Sequence, residues 1–267
     1  MSHQLAYIHP DAKIGKDVTI SPFAYIAGNV VIGDGTWVGP NATILDGARI
    51  GKNCRIFPGA VISGIPQDLK FKGEETTAEI GDNTTMRECV TVNRGTASKG
   101  KTVIGNNCLL MAYVHVGHDC ILGNDIILGN GTQLAGEVEV DDWAIVSAHS
   151  LVHQFERIGA HVMIQGGSKV NKDIPPFIIA AREPITFAGI NIIGLRRRGY
   201  TAQQIGDIQE IYRTLYNKGM NVSQALTHIS ENIPQSEDRD LIINFIRNSK
   251  RGIVREYTGS DPNEGLD

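Results

Sequence analysis

Residues 8–62 read IHPDAK-IGKDVT-ISPFAY-IAGNVV-IGDGTW-VGPNAT-ILDGAR-IGKNCR-IFPGAV-I, and an aliphatic residue returns at every sixth position. The recurrence is unbroken from Ile8 to Ile62. It is interrupted twice between Ile62 and Ile104, resuming in between at Ile80, and it then runs without a miss to Val170. Chance does not produce a repeat of this length, so the period of six decides the fold.

Each hexad carries a second inward position, two residues before the aliphatic one. It is usually small, as at Ala12, Ala24, Ala42, Cys54 and Ala60. Residues i and i−2 of an extended strand face the same side, so every hexad offers one large and one small residue to a core. Glycine often follows the aliphatic residue, as at Gly33 and Gly105, where we expect a corner that needs relaxed backbone geometry. Glu156 at a small inward position is an exception.

The hexad is too short for a strand plus a helix and too regular for hairpins. It therefore predicts a parallel β-helix with three short sides per coil. The period does not contain the hand of the coil, and the general rule for parallel crossovers favours a right-handed connection. The strict pattern of Ile, Val or Leu followed by Gly-x-x-small-x, however, resembles the left-handed β-helix family of acyltransferases, which implies a left-handed coil.

The phase breaks and the C-terminal pattern predict the domain organisation. We assign residues 1–183 to the β-helix, with loops inserted near 63–79 and 93–101, and residues 184–267 to a C-terminal α-helical domain. The period there shifts toward 3.6 and predicts three helices, Ala202–Lys218 with Thr201 as N-cap and Gly219 as its stop, Val222–Asn232 and Glu237–Lys250. A basic cluster, Arg196-Arg197-Arg198, lies near the end of an earlier short helix. It is either a solvated helix end or a site that binds an anion.

Composition excludes several classes of function. A net charge of −4 over 267 residues implies no general affinity for nucleic acid. The chain shows no leader-like segment and no run of about 18 apolar residues, so we expect neither export nor membrane insertion. The four cysteines, Cys54, Cys89, Cys108 and Cys120, lack C-x-x-C spacing. They are interpreted as reduced core residues of a cytoplasmic protein.

Counting by coils brings a group of polar residues to one corner. Residues three hexads apart stack, so His118 lies next to Gly136, and His153 and Gln154 follow along the same corner. His118 is either a structural histidine or a general base, since imidazole titrates near neutral pH. A glycine N–H beside it can stabilise an oxyanion. Asp119 can orient His118 only if the chain turns a corner there, because adjacent residues of a strand point in opposite directions.

A metal site is the main chemical alternative, because hexapeptide β-helices include zinc enzymes of the gamma carbonic anhydrase type. His118 and His153 are two coils apart, roughly 10 Å by strand spacing, whereas Zn–N bonds are about 2.0–2.1 Å. One chain therefore cannot close such a site, although two subunits could. His115 lies three residues before His118 and lacks an obvious third ligand.

An ordered set of motifs covers nearly the whole chain: QDLK (67–70), NRGT (93–96), HVGHDC (115–120), LAG (134–136), VHQF (152–155), IGAHVM (158–163) and GLRRRG (194–199). Together they resemble the acyl-carrier-protein-dependent UDP-N-acetylglucosamine O-acyltransferases, which begin lipid A synthesis. The resemblance implies a homotrimer with active sites between neighbouring prisms, no metal, and no cofactor other than the 4′-phosphopantetheine that arrives on the acyl carrier protein. His118 would take the proton from the sugar 3-hydroxyl as it attacks the (R)-3-hydroxyacyl thioester. Asp119 would support His118, and the Gly136 N–H would bind the oxyanion.

The resemblance also implies substrate-binding residues. Positions that hold the nucleotide sugar or its acylated product are matched by Gln67, Asp68, Lys70, His115, Gln154, Asn191, Arg197 and Arg198. His153 matches a further cleft histidine, and Gly166 matches a floor position that helps to set acyl-chain length. The family often has histidine where Asn93 and Glu137 stand, and a polar residue in place of Pro184. Lys169, Lys172 and Arg196 could face the acidic carrier protein or simply solvent.

Two further functions are alternatives for a hexapeptide β-helix of this kind. The N-acyltransferase that acts later in the same pathway usually carries a uridine-binding domain before the prism, whereas here the hexads start at Ile8. A non-catalytic β-helix scaffold would gain nothing from histidines clustered at a corner.

Overall fold

The computed structural model describes residues 4–217 and 219–256. Within these residues the chain forms short strands, followed by helices. The strands are β1 Tyr7–Ile8, β2 Lys13–Ile14, β3 Thr19–Ile20, β4 Tyr25–Ile26, β5 Val31–Ile32, β6 Trp37–Val38, β7 Thr43–Ile44, β8 Ala48–Ile50, β9 Arg55–Ile56, β10 Val61–Gly64, β11 Thr77–Ile80, β12 Thr85–Met86, β13 Thr91–Asn93, β14 Lys101–Ile104, β15 Leu109–Leu110, β16 His115–Val116, β17 Ile121–Leu122, β18 Ile127–Leu128, β19 Gln133–Leu134, β20 Glu139–Val140, β21 Ile145–Val146, β22 Leu151–Val152, β23 Arg157–Ile158, β24 Met163–Ile164, β25 Lys169–Val170, β26 Ile178–Ala181 and β27 Thr186–Ile190.

The strands build three sheets that close into a prism. From β1 to β25 each strand pairs in parallel with the strand three positions later, so every coil adds one strand to each sheet. Only β26 and β27 pair in antiparallel fashion among the described strands. The predicted parallel β-helix is confirmed, and its hand is left. The aliphatic and small positions of the hexads line the interior, where Ile26, Ile44, Ala60 and Leu110 are fully buried.

Three corners join the sheets. In the coil that starts at β16, corner one is residues 117–120 before β17, corner two is residues 123–126 before β18, and corner three is residues 129–132 before β19. The same names apply to the stacked positions of other coils. The third residue after each aliphatic position usually has a positive φ, such as 56° at Asn41 and 57° at Asn107. Asparagine and aspartate tolerate this left-handed conformation better than other side chains.

The predicted reason for the recurrent glycines is wrong. Gly33, which directly follows an aliphatic residue, does not have the positive φ that relaxed geometry would require. A Cβ atom placed on it would instead lie 2.6 Å from the carbonyl carbon and oxygen of Gly51 in the next coil. Glycine is needed at this position because neighbouring coils approach too closely for a side chain. The small inward position holds Cys54, Cys108 and Cys120, which are buried, but Cys89 is exposed at a corner and is not a core residue.

Both insertions leave the prism at corner one. Residues 65–76 connect β10 to β11, and residues 94–100 connect β13 to β14, which are the same two sheets that β16 and β17 join. The prism therefore carries both of its long loops above the corner that contains residues 117–120.

Four helices follow the prism in the described part of the chain: α1 Ile192–Arg197, α2 Ala202–Asn217, α3 Val222–Asn232 and α4 Glu237–Arg247. Thr201 Oγ1 accepts a hydrogen bond from Gln204 N (3.2 Å), as its predicted capping role requires. The predicted end of α2 at Lys218 lies outside the described residues, and α4 ends three residues before the predicted Lys250 because Asn248 caps it. No helix of the described residues is long and apolar enough to cross a membrane.

The chain then returns to the prism through residues 251–256. Asp173 N donates to Gly252 O (3.0 Å) and Val254 N donates to Asp173 O (3.0 Å). The Arg251 guanidinium lies 2.6 Å from the carboxylate of Glu156, which is fully buried. This ion pair accounts for the exception in the hexad pattern, because the buried acid receives a partner from the C-terminal segment.

Candidate active site

His118 and Asp119 form a hydrogen-bonded pair at corner one. Asp119 occupies the left-handed position of its hexad, with φ 60°. This turn brings two adjacent side chains to the same side, which a straight strand would not allow. His118 Nδ1 lies 2.8 Å from Asp119 Oδ2. The corner geometry on which this pairing depended is therefore present.

The inserted loop 94–100 surrounds the Asp119 carboxylate, which is fully buried. Oδ1 accepts hydrogen bonds from Thr96 N (2.9 Å) and Lys99 N (3.1 Å), and Oδ2 accepts one from Thr96 Oγ1 (2.6 Å). Burial alone raises the pKa of this carboxyl, but the hydrogen bonds from Thr96, His118 and Lys99 outweigh it, so that the pKa lies below its ordinary value. Asp119 is thus ionised at neutral pH.

The ionised carboxylate determines the tautomer of His118. A carboxylate accepts hydrogen bonds and donates none, so the proton between the two groups belongs to His118 Nδ1. The other ring nitrogen, Nε2, then carries a lone pair. The Cβ that Gly136 lacks would overlap the imidazole, with Cε1 at 2.5 Å and Cδ2 at 3.0 Å. The basic nitrogen of His118 consequently lies directly against Gly136 of the next coil.

The Gly136 N–H is free to donate a hydrogen bond to a ligand, because it makes none within the described residues. At corner two the N–H of the same hexad position donates to a side chain of the next coil, as from Lys52 to Asp82 Oδ1 (2.7 Å) and from Asn124 to Asp142 Oδ1 (2.7 Å). The Gly136 N–H has no such partner among residues 4–217 and 219–256. An unpaired backbone donor beside a basic nitrogen is an arrangement that can bind an anion formed by proton removal.

The other predicted residues of corner one lie along the same edge. His115 Nδ1 is 2.7 Å from Thr91 Oγ1, and burial, assisted by the charge of His118, lowers the pKa of His115. His153 is exposed, with its Nδ1 3.0 Å from Gln154 O. The register pairs Val116 with Leu134 and Leu134 with Val152, so His118, Gly136 and Gln154, each two residues later, stack as the count by coils predicts.

The loop 65–76 carries three more of the predicted residues, Gln67, Asp68 and Lys70. Lys70 N donates to Asp68 Oδ1 (2.9 Å), and the side chains of Gln67 and Lys70 are exposed above corner one. The base of this loop contacts the end of β13, where the second loop begins, since Asn93 Nδ2 donates to Ile65 O (3.1 Å). Asn93 thus joins the bases of the two loops.

Four predicted residues lie at other edges of the prism. Asn191 Nδ2 donates to His161 O (2.9 Å), and Arg198 Nη2 donates to Trp143 O (3.0 Å), which places both at corner two. Arg197 is exposed on α1, and Gly166 lies at corner three. One chain therefore does not bring these four residues to His118. Glu137 is near it, because its N–H donates to His118 O (2.8 Å).

Two residues that donate hydrogen bonds to the Asp119 carboxylate were not predicted from the sequence. Thr96 and Lys99 lie in a phase break, where the hexad count cannot assign a spatial neighbour. For Thr96 the only signal was the likeness of residues 93–96 to a family motif, and Lys99 had none. Among the described residues no group of three or more His, Cys, Asp or Glu side chains is placed to hold a metal ion.

Comparison with known proteins agrees with this geometry. The model of the bacterial transferase hexapeptide matches residues 29–64 and 101–136, and the model of UDP-N-acetylglucosamine O-acyltransferase domain 2 matches residues 173–254. The acyl-(acyl-carrier-protein)–UDP-N-acetylglucosamine O-acyltransferase of Burkholderia mallei strain SAVP1 is 43% identical over 199 residues, which are 73% of this chain and 76% of that protein. The chain belongs to the acyl-carrier-protein-dependent UDP-N-acetylglucosamine O-acyltransferase family.

Solved structures of this family match the chain along nearly its whole length. The UDP-N-acetylglucosamine acyltransferase of Bacteroides fragilis 9343 is 60% identical, with a TM-score of 0.94 over 96% of this chain and 100% of that one. The Francisella novicida enzyme is 43% identical, with a TM-score of 0.93 over 98% of this chain and 95% of that one. Prism, loops and helical part therefore all follow the family's architecture.

Proposed function

We propose that this protein is an O-acyltransferase that moves an (R)-3-hydroxyacyl chain from acyl carrier protein to the 3-hydroxyl of UDP-N-acetylglucosamine, the first step of lipid A biosynthesis. The observation that carries the proposal is the His118–Asp119 pair, whose basic nitrogen lies against Gly136, a residue with an unpaired N–H within the described residues. Transfer of an acyl chain to a hydroxyl requires a general base and a hydrogen-bond donor that stabilises the oxyanion, and this corner supplies both.

The reaction follows from this geometry. His118 Nε2 removes the proton of the sugar hydroxyl as its oxygen attacks the thioester carbonyl. The carbonyl oxygen becomes an oxyanion and accepts the Gly136 N–H. When the tetrahedral intermediate collapses, the C–S bond breaks, and the phosphopantetheine thiolate of the carrier protein receives the proton from the imidazolium. Asp119 remains ionised throughout and stabilises the imidazolium.

The substrates are held, in this proposal, by residues of two chains in a homotrimer. Gln67, Asp68, Lys70, His115, His153 and Gln154 come from corner one and its loop. Asn191, Arg197, Arg198 and Gly166 come from the neighbour, because they cannot reach His118 within one chain. The sheet that contains β15, β18, β21 and β24 lies between corners two and three. Its outward column is apolar and suits a subunit contact: Leu109, Ile127, Ile145 and Met163.

We also place the protein in the cytoplasm. All four of its cysteines are free thiols, which fits a reducing compartment. The carrier protein and the nucleotide sugar are its proposed partners, and the pantetheine group that carries the acyl chain arrives with the carrier.

The activity is tested by offering UDP-N-acetylglucosamine with carrier proteins that bear 3-hydroxyacyl chains of graded length. The expected product is the 3-O-acylated nucleotide sugar, identified by its mass and fragmentation. His118→Ala should retain the assembly but lose at least about 10²-fold in rate, the scale of a missing general base. Acylation of the sugar nitrogen, or no product from any chain length, would contradict the assignment.

Mixing variants tests the shared site. His118→Ala and Arg198→Ala chains are each expected to form weakly active homotrimers. If the site joins two chains, co-refolded mixtures contain interfaces with an intact His118 on one chain and an intact Arg198 on the next, and activity returns. A mixture no more active than its components would place the whole site in one chain.

A further inference from the structure

We propose that Thr96 is a positioning residue of the acyl transfer, which directs the Asp119 carboxylate and through it the base His118. The inference rests on the proposed function, because it concerns the same histidine. Nothing in the hexad pattern or in the resemblance gives Thr96 a role. Its position in the inserted loop 94–100 is what joins it to the catalytic pair.

Thr96 contacts both oxygens of the carboxylate. Its backbone N–H donates to Oδ1 (2.9 Å) and its hydroxyl donates to Oδ2 (2.6 Å), the same oxygen that accepts His118 Nδ1–H. Two donors from one residue fix the plane of the carboxylate as well as its position. The plane matters, because it determines the direction in which Oδ2 presents its lone pair to the imidazole.

The direction of the hydroxyl proton is determined by a second contact. Ser98 N donates to Thr96 Oγ1 (3.2 Å), and a backbone N–H can only donate. The hydroxyl therefore uses a lone pair for Ser98, and its proton remains for Asp119. Since Thr96 is 7% exposed, water does not compete well for this proton.

The loop that holds Thr96 is closed at its neck. Gly100 N donates to Thr96 O (2.8 Å) and Gly95 N donates to Thr77 O (3.1 Å). A Cβ atom on Gly95 would lie 2.5 Å from Lys101 Cα, so only glycine fits where the two ends of the loop meet. The Lys99 ammonium, 3.1 Å from Glu139 Oε1, ties the far end to the prism. The loop thus presents Thr96 from a rigid frame, as a positioning role requires.

The hydroxyl also sets how much negative charge faces the imidazole. Hydrogen bonds from Thr96 are among the interactions that lower the pKa of Asp119. Removing the hydroxyl leaves Oδ2 with His118 as its only side-chain donor within residues 4–217 and 219–256, so more of the charge acts on the imidazole and favours the imidazolium. The acid limb of the rate profile should then move to higher pH. A residue that merely fills space would not move it.

The test compares Thr96→Val with Thr96→Ser and with Thr36→Val. Thr36 is a matched control in a distant coil, since it is also buried and its hydroxyl also donates one hydrogen bond and accepts another, to Gly51 O (2.9 Å) and from Cys54 N (3.1 Å). For the full-length enzyme we measure kcat, KM for both substrates, and kcat/KM against pH. Thr96→Val should lower kcat roughly tenfold or more, the loss of a hydrogen bond to a charged group, while KM changes less than about twofold.

The remaining outcomes decide the proposal. Thr96→Ser should restore the rate and the wild-type pH profile, and Thr36→Val should lower stability but leave both unchanged. A Thr96→Val enzyme with the wild-type profile, or with no more loss than Thr36→Val, would overturn the inference. If the wild type transfers no acyl chain, the proposed function fails separately. Nitrogen-15 spectra of labelled histidine in the free protein then decide, since Thr96→Val must change the Nδ1 and Nε2 shifts of His118, and unchanged shifts refute it.

Discussion

Gly136→Ala tests whether the approach of His118 to the next coil is what positions the base. The added Cβ would lie 2.5 Å from Cε1 and 3.0 Å from Cδ2 of the imidazole, and it is directed at Nε2, the nitrogen that takes the proton. Ordinary contact for a Cβ begins at about 3.4 Å. The imidazole ring must therefore move away from residue 136 by about 1 Å, and its hydrogen bond to Asp119 opposes that movement.

The expected loss follows from the size of this displacement. A misplacement of about 1 Å costs on the order of 10²-fold in rate when the reacting atoms no longer align. The backbone N–H of residue 136 remains in the variant, so the loss reports the position of His118 and not a missing donor. We expect kcat for 3-O-acylation to fall about a hundredfold, measured by product mass at saturating concentrations of both substrates.

Gly33→Ala is the matched control. Its Cβ also overlaps a neighbouring coil, here the Gly51 backbone at 2.6 Å, in a part of the prism remote from His118. It should lower the unfolding temperature and leave kcat of the folded enzyme unchanged. A Gly136→Ala enzyme with kcat within threefold of the wild type, or a Gly33→Ala enzyme with an equal loss of kcat, would refute the reasoning.

Two further predictions concern stability. Burial lowers the pKa of His161 to about 4, so between about pH 6.5 and 4 the unfolded chain binds a proton that the folded chain does not. The free energy of unfolding should fall by up to about 3 kcal/mol as pH drops through this window, and His161→Phe should abolish that dependence in urea titrations. Arg251→Ala should cost about 3 kcal/mol at pH 8, because it leaves the buried Glu156 carboxylate unpaired. Adding Glu156→Ala, which restores the small residue of the hexad, should recover most of this loss, and a double variant as unstable as Arg251→Ala would contradict the assignment.

The fold was predictable because every hexad repeats the same local sequence pattern. An inward aliphatic residue, a small partner two positions earlier and a corner between successive hexads predict a three-sided parallel coil, whose hand came from the family resemblance. Stacking by coils then places His118 beside Gly136. The meaning of the glycines was not predictable in the same way. Their sequence position is compatible with a special φ, and only the distance to the next coil shows that a side chain would collide with backbone.

Residues that depart from the hexad pattern were harder to interpret. Their partners lie in the inserted loops or beyond the helices, where no six-residue period predicts which residues are neighbours. Glu156 is an anomaly in the hexad pattern, and it becomes a paired group only because Arg251 returns from beyond the helices. Thr96 has no inward or outward assignment because it lies in a phase break. Tertiary contacts across an insertion or a second domain are invisible to a count of hexads.

The same corner geometry that builds the prism also supplies its chemistry. At most corners one residue takes a positive φ, and at corner two the N–H of the preceding residue donates to a side chain of the next coil. At corner two Asn53 and Asp125 make this turn, and Asp82 and Asp142 accept these N–H groups, so the polar side chains there are structural. At corner one the left-handed residue is Asp119, whose turn brings it onto His118, and the next coil offers Gly136, whose N–H has no side chain to accept it among the described residues. A base and a free donor thus arise from two substitutions within a structural repeat, which explains how a scaffold of identical coils can carry one reactive corner.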